Sequence, residues 1–356
     1  MVSRFVSRLL CGITVAGFAV NLTTGSALAD AVEWSNGQII SLGGGNASSI
    51  NDAGQVAGVR GGEWSNGQVI NLGGLPESIN NAGQVVGVSS VDGVHQIATE
   101  WSNGQVINLG TLPGLTSSEA FGINDVGQVV GQSFNVSPNS VITIATEWSN
   151  GQVINLGALP GFTSSEAESI NDAGQVVGQS DGSGGRQVAT EWSNGQVIDL
   201  GGLPGFTMSN AVSINDVGQV VGWSYVGGRQ VATEWSNGQV IDLGGLPDFF
   251  FSSASSINDA GQVVGTSTVG ETGVQVAVEW SNGQIIDLGG EPGFSDSIAN
   301  SINDAGQVVG EDFFFPSDAI PESSTWAMML LGFAGLGYAG YRSSGAMRWR
   351  PQGSFS

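Results

Sequence analysis

The central part of the chain alternates short extended segments with turn residues, and this pattern predicts β-hairpins. Val188–Trp192 and Gln196–Leu200 are rich in β-branched and aromatic residues, and Asn194 and Gly195 lie between them. An Asn-Gly pair is the strongest short-range hairpin signal, because both central residues of a type I′ turn need a positive φ. The segment therefore predicts two antiparallel strands joined by a tight turn.

A second hairpin signal follows in the same stretch. Asp216 and Gly218 separate the extended pieces Val212–Asn215 and Gln219–Gly222. Glycine supplies a left-handed turn position, and we expect the aspartate to cap its own turn. Because no apolar period of 3.6 residues is sustained, helix is disfavoured and the pattern predicts four short strands in about 44 residues.

The same pattern is repeated along the chain. A Glu-Trp pair and an Ile-Asn pair recur in step, at intervals between 29 and 47 residues. The tryptophans are Trp34, Trp64, Trp101, Trp148, Trp192, Trp235 and Trp280, and the isoleucines are Ile50, Ile79, Ile123, Ile170, Ile214, Ile257 and Ile302. Two motifs that keep a common register indicate an architectural repeat rather than low complexity.

Seven copies of a four-stranded unit predict an all-β fold over residues 30–312. A seven-bladed β-propeller is the favoured architecture, because radial closure leaves only short, protected strand edges. The tryptophans and aliphatic pairs would then fill the space between blades. A linear β-solenoid is the alternative, and the two shortened opening units are compatible with either a solenoid cap or two narrow blades.

The charge balance excludes several classes of partner. The formal net charge is −23, and the chain contains no lysine. All 31 acidic residues lie between Asp30 and Glu322, where only three arginines oppose them, so this stretch carries −28. Such a charge repels nucleic acid and anionic lipid and favours cationic partners. The single histidine, His95, is interpreted as a loop residue rather than a catalytic base.

The first 29 residues have the features of a secretory signal peptide. Arg4 and Arg8 precede an apolar run, Leu9–Val20, and Ala27 and Ala29 stand at the small-residue positions of a signal-peptidase cleavage site. We expect cleavage after Ala29. The only cysteine of the chain falls inside this segment, so the mature protein is expected to contain no disulfide.

Residues 313–356 are predicted to be a linker and a sorting segment. Thr325–Tyr341 is an uncharged run long enough for a transmembrane helix, and Arg342 follows it. With Pro321, Glu322 and Trp326 ahead of this run, the segment resembles the PEP-CTERM sorting signal of Gram-negative exosortase systems. The resemblance implies an exosortase as processing partner, transient or permanent anchoring in the inner membrane, and an envelope or extracellular destination.

Two features depart from the sorting pattern. Ser323 stands where the family usually has a second proline. A tail of 14 residues, 343–356, also follows Arg342 where a compact basic cluster is usual. We therefore expect slowed processing at this segment.

The repeat itself resembles the HAF-type extracellular repeat of bacterial secreted proteins. The matching residues are Gly-Gln-Val-Ile-Asp-Leu-Gly-Gly-Leu and Ser-Ile-Asn-Asp-Ala-Gly-Gln-Val-Val-Gly, and the resemblance spans Ala31–Gly310. The His-Ala-Phe triplet of the family is replaced by Ala-Thr-Glu before the tryptophan. The resemblance implies an extracellular location and little chemistry.

Carboxylates are the only side chains in the repeats that we consider as candidates for a catalytic or metal-binding site. One set precedes the tryptophans: Glu33, Glu63, Glu100, Glu147, Glu191, Glu234 and Glu279. The other set occupies the second turn: Asp52, Asp125, Asp172, Asp216, Asp259 and Asp304. Identical repetition indicates structure, because catalytic carboxylate pairs need different protonation states. We expect the aspartates to cap their hairpins and the glutamates to bind backbone amides or hydroxyls of the adjacent unit, with calcium binding as the alternative and no cofactor.

The segments outside the repeat are where individual function would lie. Phe249–Phe251, Phe313–Phe315, the insertion Phe134–Ile144 and the Leu-Pro-Gly-Phe-Thr segments are interpreted as apolar loops, which either bind partners or fill the space between blades. Two hypotheses follow. The first is a secreted, non-enzymatic repeat protein that binds extracellular polysaccharide of a biofilm, and the second is a propeller hydrolase or lyase that uses a carboxylate pair.

Overall fold

The computed structural model describes residues 28–90, 95–137, 140–269 and 273–314. Within these ranges the chain is almost entirely β-structure, and the only helical segments are two short 3-10 turns, Val59–Gly61 and Ser183–Gly185. The strands, in chain order, are β1 (Leu28–Ser35), β2 (Gln38–Gly44), β3 (Ser49–Ile50), β4 (Val56–Ala57), β5 (Gly62–Ser65), β6 (Gln68–Asn71), β7 (Leu75–Ile79), β8 (Val85–Ser90), β9 (Gln96–Ser102), β10 (Gln105–Asn108), β11 (Ser117–Ile123), β12 (Val129–Ser137), β13 (Ser140–Ser149), β14 (Gln152–Asn155), β15 (Ser164–Ile170), β16 (Val176–Asp181), β17 (Gln187–Ser193), β18 (Gln196–Gly201), β19 (Phe206–Ile214), β20 (Val220–Val226), β21 (Arg229–Ser236), β22 (Gln239–Asp242), β23 (Phe251–Ile257), β24 (Val263–Thr268), β25 (Gln275–Ser281), β26 (Gln284–Asp287), β27 (Asp296–Ile302) and β28 (Val308–Phe314).

The strands are arranged as antiparallel groups of four. The groups along the chain are β3–β6, β7–β10, β11–β14, β15–β18, β19–β22 and β23–β26, and a further group has the order β2-β1-β28-β27. A single parallel pair, Gln187 with Met208, links β15–β18 to β19–β22. The predicted all-β architecture of four-stranded units is confirmed.

The turns form as the sequence predicts. Asn194 and Gly195 have φ values of 51° and 72°, as a type I′ turn between β17 and β18 requires. Gly218 has a φ of 82° in the turn that precedes β20. The first complete group, β3–β6, is narrow, since β3 and β4 contain two residues each. This corresponds to the shortened opening repeat.

One group combines the two ends of the described chain. β1 pairs with β28 in antiparallel register, from Leu28 opposite Phe314 to Trp34 opposite Val308. We call the group β2-β1-β28-β27 the closing blade. Because it joins the first strands to the last, the units form a ring, which is the arrangement of a β-propeller and not of a linear solenoid.

The apolar residues form separate clusters between neighbouring groups. In one of them, Trp192 and Ile170 of β15–β18 pack against Val130 and Ala145 of β11–β14. Six of the seven repeat tryptophans are buried, and Trp64 in the narrow group is half-buried. The prediction that the tryptophans and aliphatic pairs fill the space between blades is therefore confirmed.

Candidate functional site

The glutamate before each tryptophan is held by a glutamine of its own four-stranded group. Glu234 Oε1 accepts a hydrogen bond of 3.1 Å from Gln219 Nε2. The same pair recurs as Gln307–Glu33, Gln55–Glu63, Gln84–Glu100, Gln128–Glu147, Gln175–Glu191 and Gln262–Glu279. The expectation of backbone or hydroxyl partners in the adjacent unit was wrong. The available signal was the glutamine of Asp-Ala-Gly-Gln, which recurs in step with the glutamate.

The asparagine of each Ile-Asn pair connects this contact to the next unit. Asn215 Nδ2 donates to Gln219 Oε1 at 2.9 Å and to the Asn258 carbonyl oxygen at 3.0 Å. Its Oδ1 accepts from the Gln219 backbone N–H at 2.8 Å, so this asparagine also caps the turn. A polar relay therefore runs from Glu234 through Gln219 and Asn215 to the neighbouring blade, and the equivalent contact from Asn303 to the Asn51 carbonyl closes the series.

The turn aspartates connect neighbouring units instead of capping their own hairpins. Asp259 Oδ1 accepts from the backbone N–H of Asp216 at 2.9 Å, and Asp304 Oδ1 accepts from that of Asp259 at 2.9 Å. The series continues through Asp52, Asn81, Asp125 and Asp172 and returns to Asp216. We call these six aspartates and Asn81 the turn ring. The predicted capping role was wrong because the asparagine one residue earlier already accepts the turn N–H groups.

The turn ring brings exposed carboxylates close together. The pKa of Asp172 is raised, chiefly by desolvation, with a smaller contribution from the charges of Asp216 and Asp125 and an opposing one from the Asp125 N–H. Asp259 has a raised pKa with the same leading cause. Among the described residues, no group of three or more acidic, histidine or cysteine side chains is placed to hold a metal ion.

A polar cavity of about 140 Å³ lies where the inner strands of all the groups meet. At one repeat position, the residue that lines the cavity is serine in almost every unit, as in Ser169 and Ser213. The preceding position varies from unit to unit and contributes Glu77, Phe121 and Glu168. Glu168 and Phe121 are each 9% exposed. The repeat symmetry is therefore broken inside the cavity by two carboxylates and an aromatic ring.

The predicted apolar loops differ in their exposure. Phe250 is 60% exposed, while Phe249 and Phe251 beside it are half-buried. Leu203 of a Leu-Pro-Gly-Phe-Thr segment is 7% exposed and so belongs to the interior. Phe313 lies in β28 opposite Ala29.

The insertion Phe134–Ile144 is not a loop, because it lengthens β12 and β13. Phe134 is paired with Thr143, and Ser137 with Ser140. The interpretation as a loop was wrong because a hairpin extension needs only an extended backbone, which this segment's β-branched residues favour.

Several predicted residues lie at or beyond the limits of the described chain. Ala29 lies in β1, and His95 is half-buried directly before β9. The signal residue Ala27 and the sorting residues Pro321, Glu322, Ser323, Trp326 and Arg342 lie outside the described residues. In the part of the chain that the structure describes, no helix is long and apolar enough to span a membrane.

Comparison with known proteins gives structural likenesses alone. No protein-family model and no curated protein sequence matches the chain. TolB from Acinetobacter baumannii is similar at 15% identity and a TM-score of 0.45, over 74% of this chain and 64% of that one. A putative TolB from Agrobacterium tumefaciens gives 9% identity and a TM-score of 0.46, over 82% of this chain and 100% of that one.

A solved β-propeller domain is also similar to this chain. The β-propeller domain of the Trilobed protease from Pyrococcus furiosus gives 11% identity and a TM-score of 0.49, over 72% of this chain and 83% of that domain's chain. The class of this protein, a β-propeller, follows from its own sheet order and the closing pair β1–β28.

Proposed function

We propose that this chain is a secreted, non-enzymatic, seven-bladed β-propeller that binds extracellular polysaccharide at the cell envelope. The observation that carries the proposal is that both repeated carboxylate sets are engaged in structural hydrogen bonds, the glutamates with glutamine amides and the aspartates with backbone N–H groups. Because these contacts recur in every unit, they give both carboxylate sets a structural role. Binding is then the role of the side chains that vary between units.

The exposed aromatic loop supplies one such binding element. Phe250 presents an apolar ring to solvent, and an aromatic face stacks on the apolar face of a sugar. We expect the exopolysaccharide of the producing bacterium to bind the protein, and Phe250→Ala to weaken that binding about tenfold. Val217→Ala, which shortens another exposed apolar side chain, is the control and should leave the affinity unchanged.

The binding assay also separates the proposal from its rival. After incubation with the polysaccharide, new reducing ends or unsaturated products should be absent. Their appearance would contradict the non-enzymatic function. The rival, a polysaccharide hydrolase or lyase, is favoured by one observation, the presence of Glu77 and Glu168 in the same cavity. If turnover occurs and Glu168→Gln abolishes it, the rival is correct.

The proposed destination depends on both ends of the chain. A signal peptidase would remove residues 1–29, and an exosortase would cut near Pro321 and Glu322 and release the apolar segment. Ser323 lacks the fixed φ of proline, which slows the adoption of an extended conformation. Intact-mass measurement should find a released form in the medium and a membrane form that retains Trp326.

A single substitution tests this processing step. Ser323→Pro should increase the released fraction. If every molecule of both fractions still carries Trp326 after this change, the segment is a plain membrane anchor and the sorting assignment fails.

A further inference from the structure

The closing blade differs from the other blades at three positions that lie together. In β19–β22, Leu203, Ser224 and Val231 form a buried group, with exposures of 7%, 0% and 2%. The Leu203 N–H donates to Ser224 Oγ, and Ser224 is paired with Val231. Two other blades have the same three residue types in these positions, namely Leu159, Ser180 and Val188, and Leu246, Ser267 and Val276.

In the closing blade all three positions are acidic. The Glu291 N–H donates to Asp312 Oδ2, and Asp312 is paired with Asp30. We call Asp30, Glu291 and Asp312 the acidic triad. The three acidic replacements fall in one contact group, which concentrates negative charge at this place in the closing blade.

The acidic triad is short of a positive partner. Asp312 is 0% exposed, and its Oδ1 has no hydrogen-bond partner. Burial raises the pKa of Asp312, and the charge of Asp30 raises it further while the Glu291 N–H opposes the change. Glu291 also has a raised pKa, first from desolvation and then from Asp30 and Asp312, and its carboxyl group lies within hydrogen-bond reach of Asp30.

The charged groups around the triad do not neutralise it. Ser41 Oγ donates to Asp30 Oδ2 at 2.6 Å, which is a neutral contact. Asp296 in β27 accepts from the Gln275 N–H, and Glu311 next to Asp312 is a further acid. Arg60 lies against Gly43 and Gly45, and no ion pair joins it to the triad within the described residues. The triad is also not placed to hold a metal ion.

Cleavage of the predicted signal peptide would produce a cation at this place. A cut after Ala29 makes Asp30 the first residue and converts its neutral peptide N–H into an ammonium group with three donors. Directly opposed residues of an antiparallel pair have Cα atoms about 4.5–5.5 Å apart, so this ammonium group would lie near Asp312. The inference therefore rests on the signal cleavage included in the proposed function.

We propose that the acidic triad is the binding site for the α-ammonium group that signal cleavage creates on Asp30. The new charge adds an ionic contact between β1 and β28, the strand pair that closes the ring. Before cleavage the same backbone nitrogen is neutral, and the triad lacks this counter-charge. Signal cleavage thereby strengthens the closing strand pair through one residue, Asp30.

The absence of lysine makes the test unusually direct. The mature chain has one primary amine, the α-amino group, so reductive methylation with 13C-formaldehyde labels that atom alone. The protein is purified from the periplasm or medium, and its first residue is identified by sequencing. NMR titration then gives the pKa of the labelled amine in folded protein and in urea.

The ordinary α-amino pKa is about 7.7–8.0. Neighbouring carboxylates favour the charged form, so we expect the pKa in folded protein to exceed that in urea by at least about one unit, a tenfold change in proton affinity. Asp312→Ser and Glu291→Leu, which install the residues of other blades, should reduce the difference. Asp248→Asn removes an exposed carboxylate elsewhere and should preserve it.

The outcomes separate the inference from the function on which it rests. If Asp30 is the first residue and its amine has the same pKa in folded and unfolded protein, the inference is wrong and the secretion proposal stands. If the chain begins elsewhere, the cleavage prediction itself fails, and the inference fails with it. A calcium-dependent rise in thermal midpoint that Asp312→Ser abolishes would assign the triad to a divalent cation and overturn the proposal. The comparison of the amine pKa in folded and in urea-unfolded wild-type protein tests the inference even if a variant does not fold.

Discussion

Replacing Trp192 with alanine tests the packing between blades. The Trp192 side chain is 4% exposed and packs against Ile170, Val176 and, from the preceding blade, Val130. Its Nε1–H donates to the Gly157 carbonyl oxygen at 3.2 Å. Truncation removes both contacts and leaves a cavity that two rigid sheets cannot fill, so the variant should have a lower free energy of unfolding.

The expected loss of stability follows from the buried area of the Trp192 side chain and from its hydrogen bond to Gly157. A buried tryptophan removes about 200 Å² from water, which at about 25 cal/mol per Å² is about 5 kcal/mol as an upper value. Partial collapse of the cavity reduces the loss, while the lost hydrogen bond adds about 1 kcal/mol. The expected loss is about 3–5 kcal/mol, the usual range for Trp→Ala in a core.

Urea unfolding followed by tryptophan fluorescence and circular dichroism measures this loss. Trp64→Ala is the matched control, because Trp64 has the same repeat position but is half-buried in the narrow group. It should cost about 2 kcal/mol, and Val217→Ala, at a side chain 67% exposed, below about 0.5 kcal/mol. A loss below about 1 kcal/mol for Trp192→Ala, or equal losses for both tryptophans, would refute the argument from interblade packing.

Three further predictions concern polar groups. Gln175→Ala leaves Glu191 without its amide donor and should lower stability by about 1.5–3 kcal/mol in urea unfolding; a change near zero would mean that water replaces the amide. Burial raises the pKa of Glu311 to about 7. Because the folded state then binds a proton on Glu311 that the unfolded state has lost, stability should fall by about 3 kcal/mol in all as pH rises from about 4.5 to about 7. Glu311→Gln should flatten this part of the pH profile, and an unchanged profile would contradict the assignment. Asp216→Ala removes one link of the turn ring and should cost about 1 kcal/mol or less, whereas Asp216→Asn, which copies Asn81, should be close to neutral in thermal unfolding.

The candidate site could be predicted from the sequence only in part. The positions of the glutamates and aspartates follow from the repeat, and their regularity indicates a structural use. Their partners do not follow, since the Gln219 amide and the Asp259 carboxylate are one strand and one blade away from the groups they bind. The cavity carboxylate Glu168 and the triad residue Asp312 are departures from the repeat, and only their placement in space distinguishes them from other substitutions.

The local conformation of this protein is determined by its sequence alone. Asn194 and Gly195 adopt the positive φ values that their residue types favour, and β-branched residues extend the strands on both sides. The burial of Trp192 also follows from its place in the repeat. The turn and strand conformations depend on neighbours within a few residues, where turn geometry and alternation leave few choices.

Only the tertiary structure decided where one blade ends and the next begins. Each sheet combines the Ile-Asn half of one repeat with the Glu-Trp half of the next, as β19–β22 does with Ile214 and Trp235. Because the sheets are offset from the repeats in this way, half a sheet is left at each end of the described chain. The two halves form one sheet through the β1–β28 pair, in which Trp34 is opposite Val308. Strand pairing and interblade contacts are long-range interactions whose gain appears only after the ring has closed, so no local pattern in the sequence specifies them.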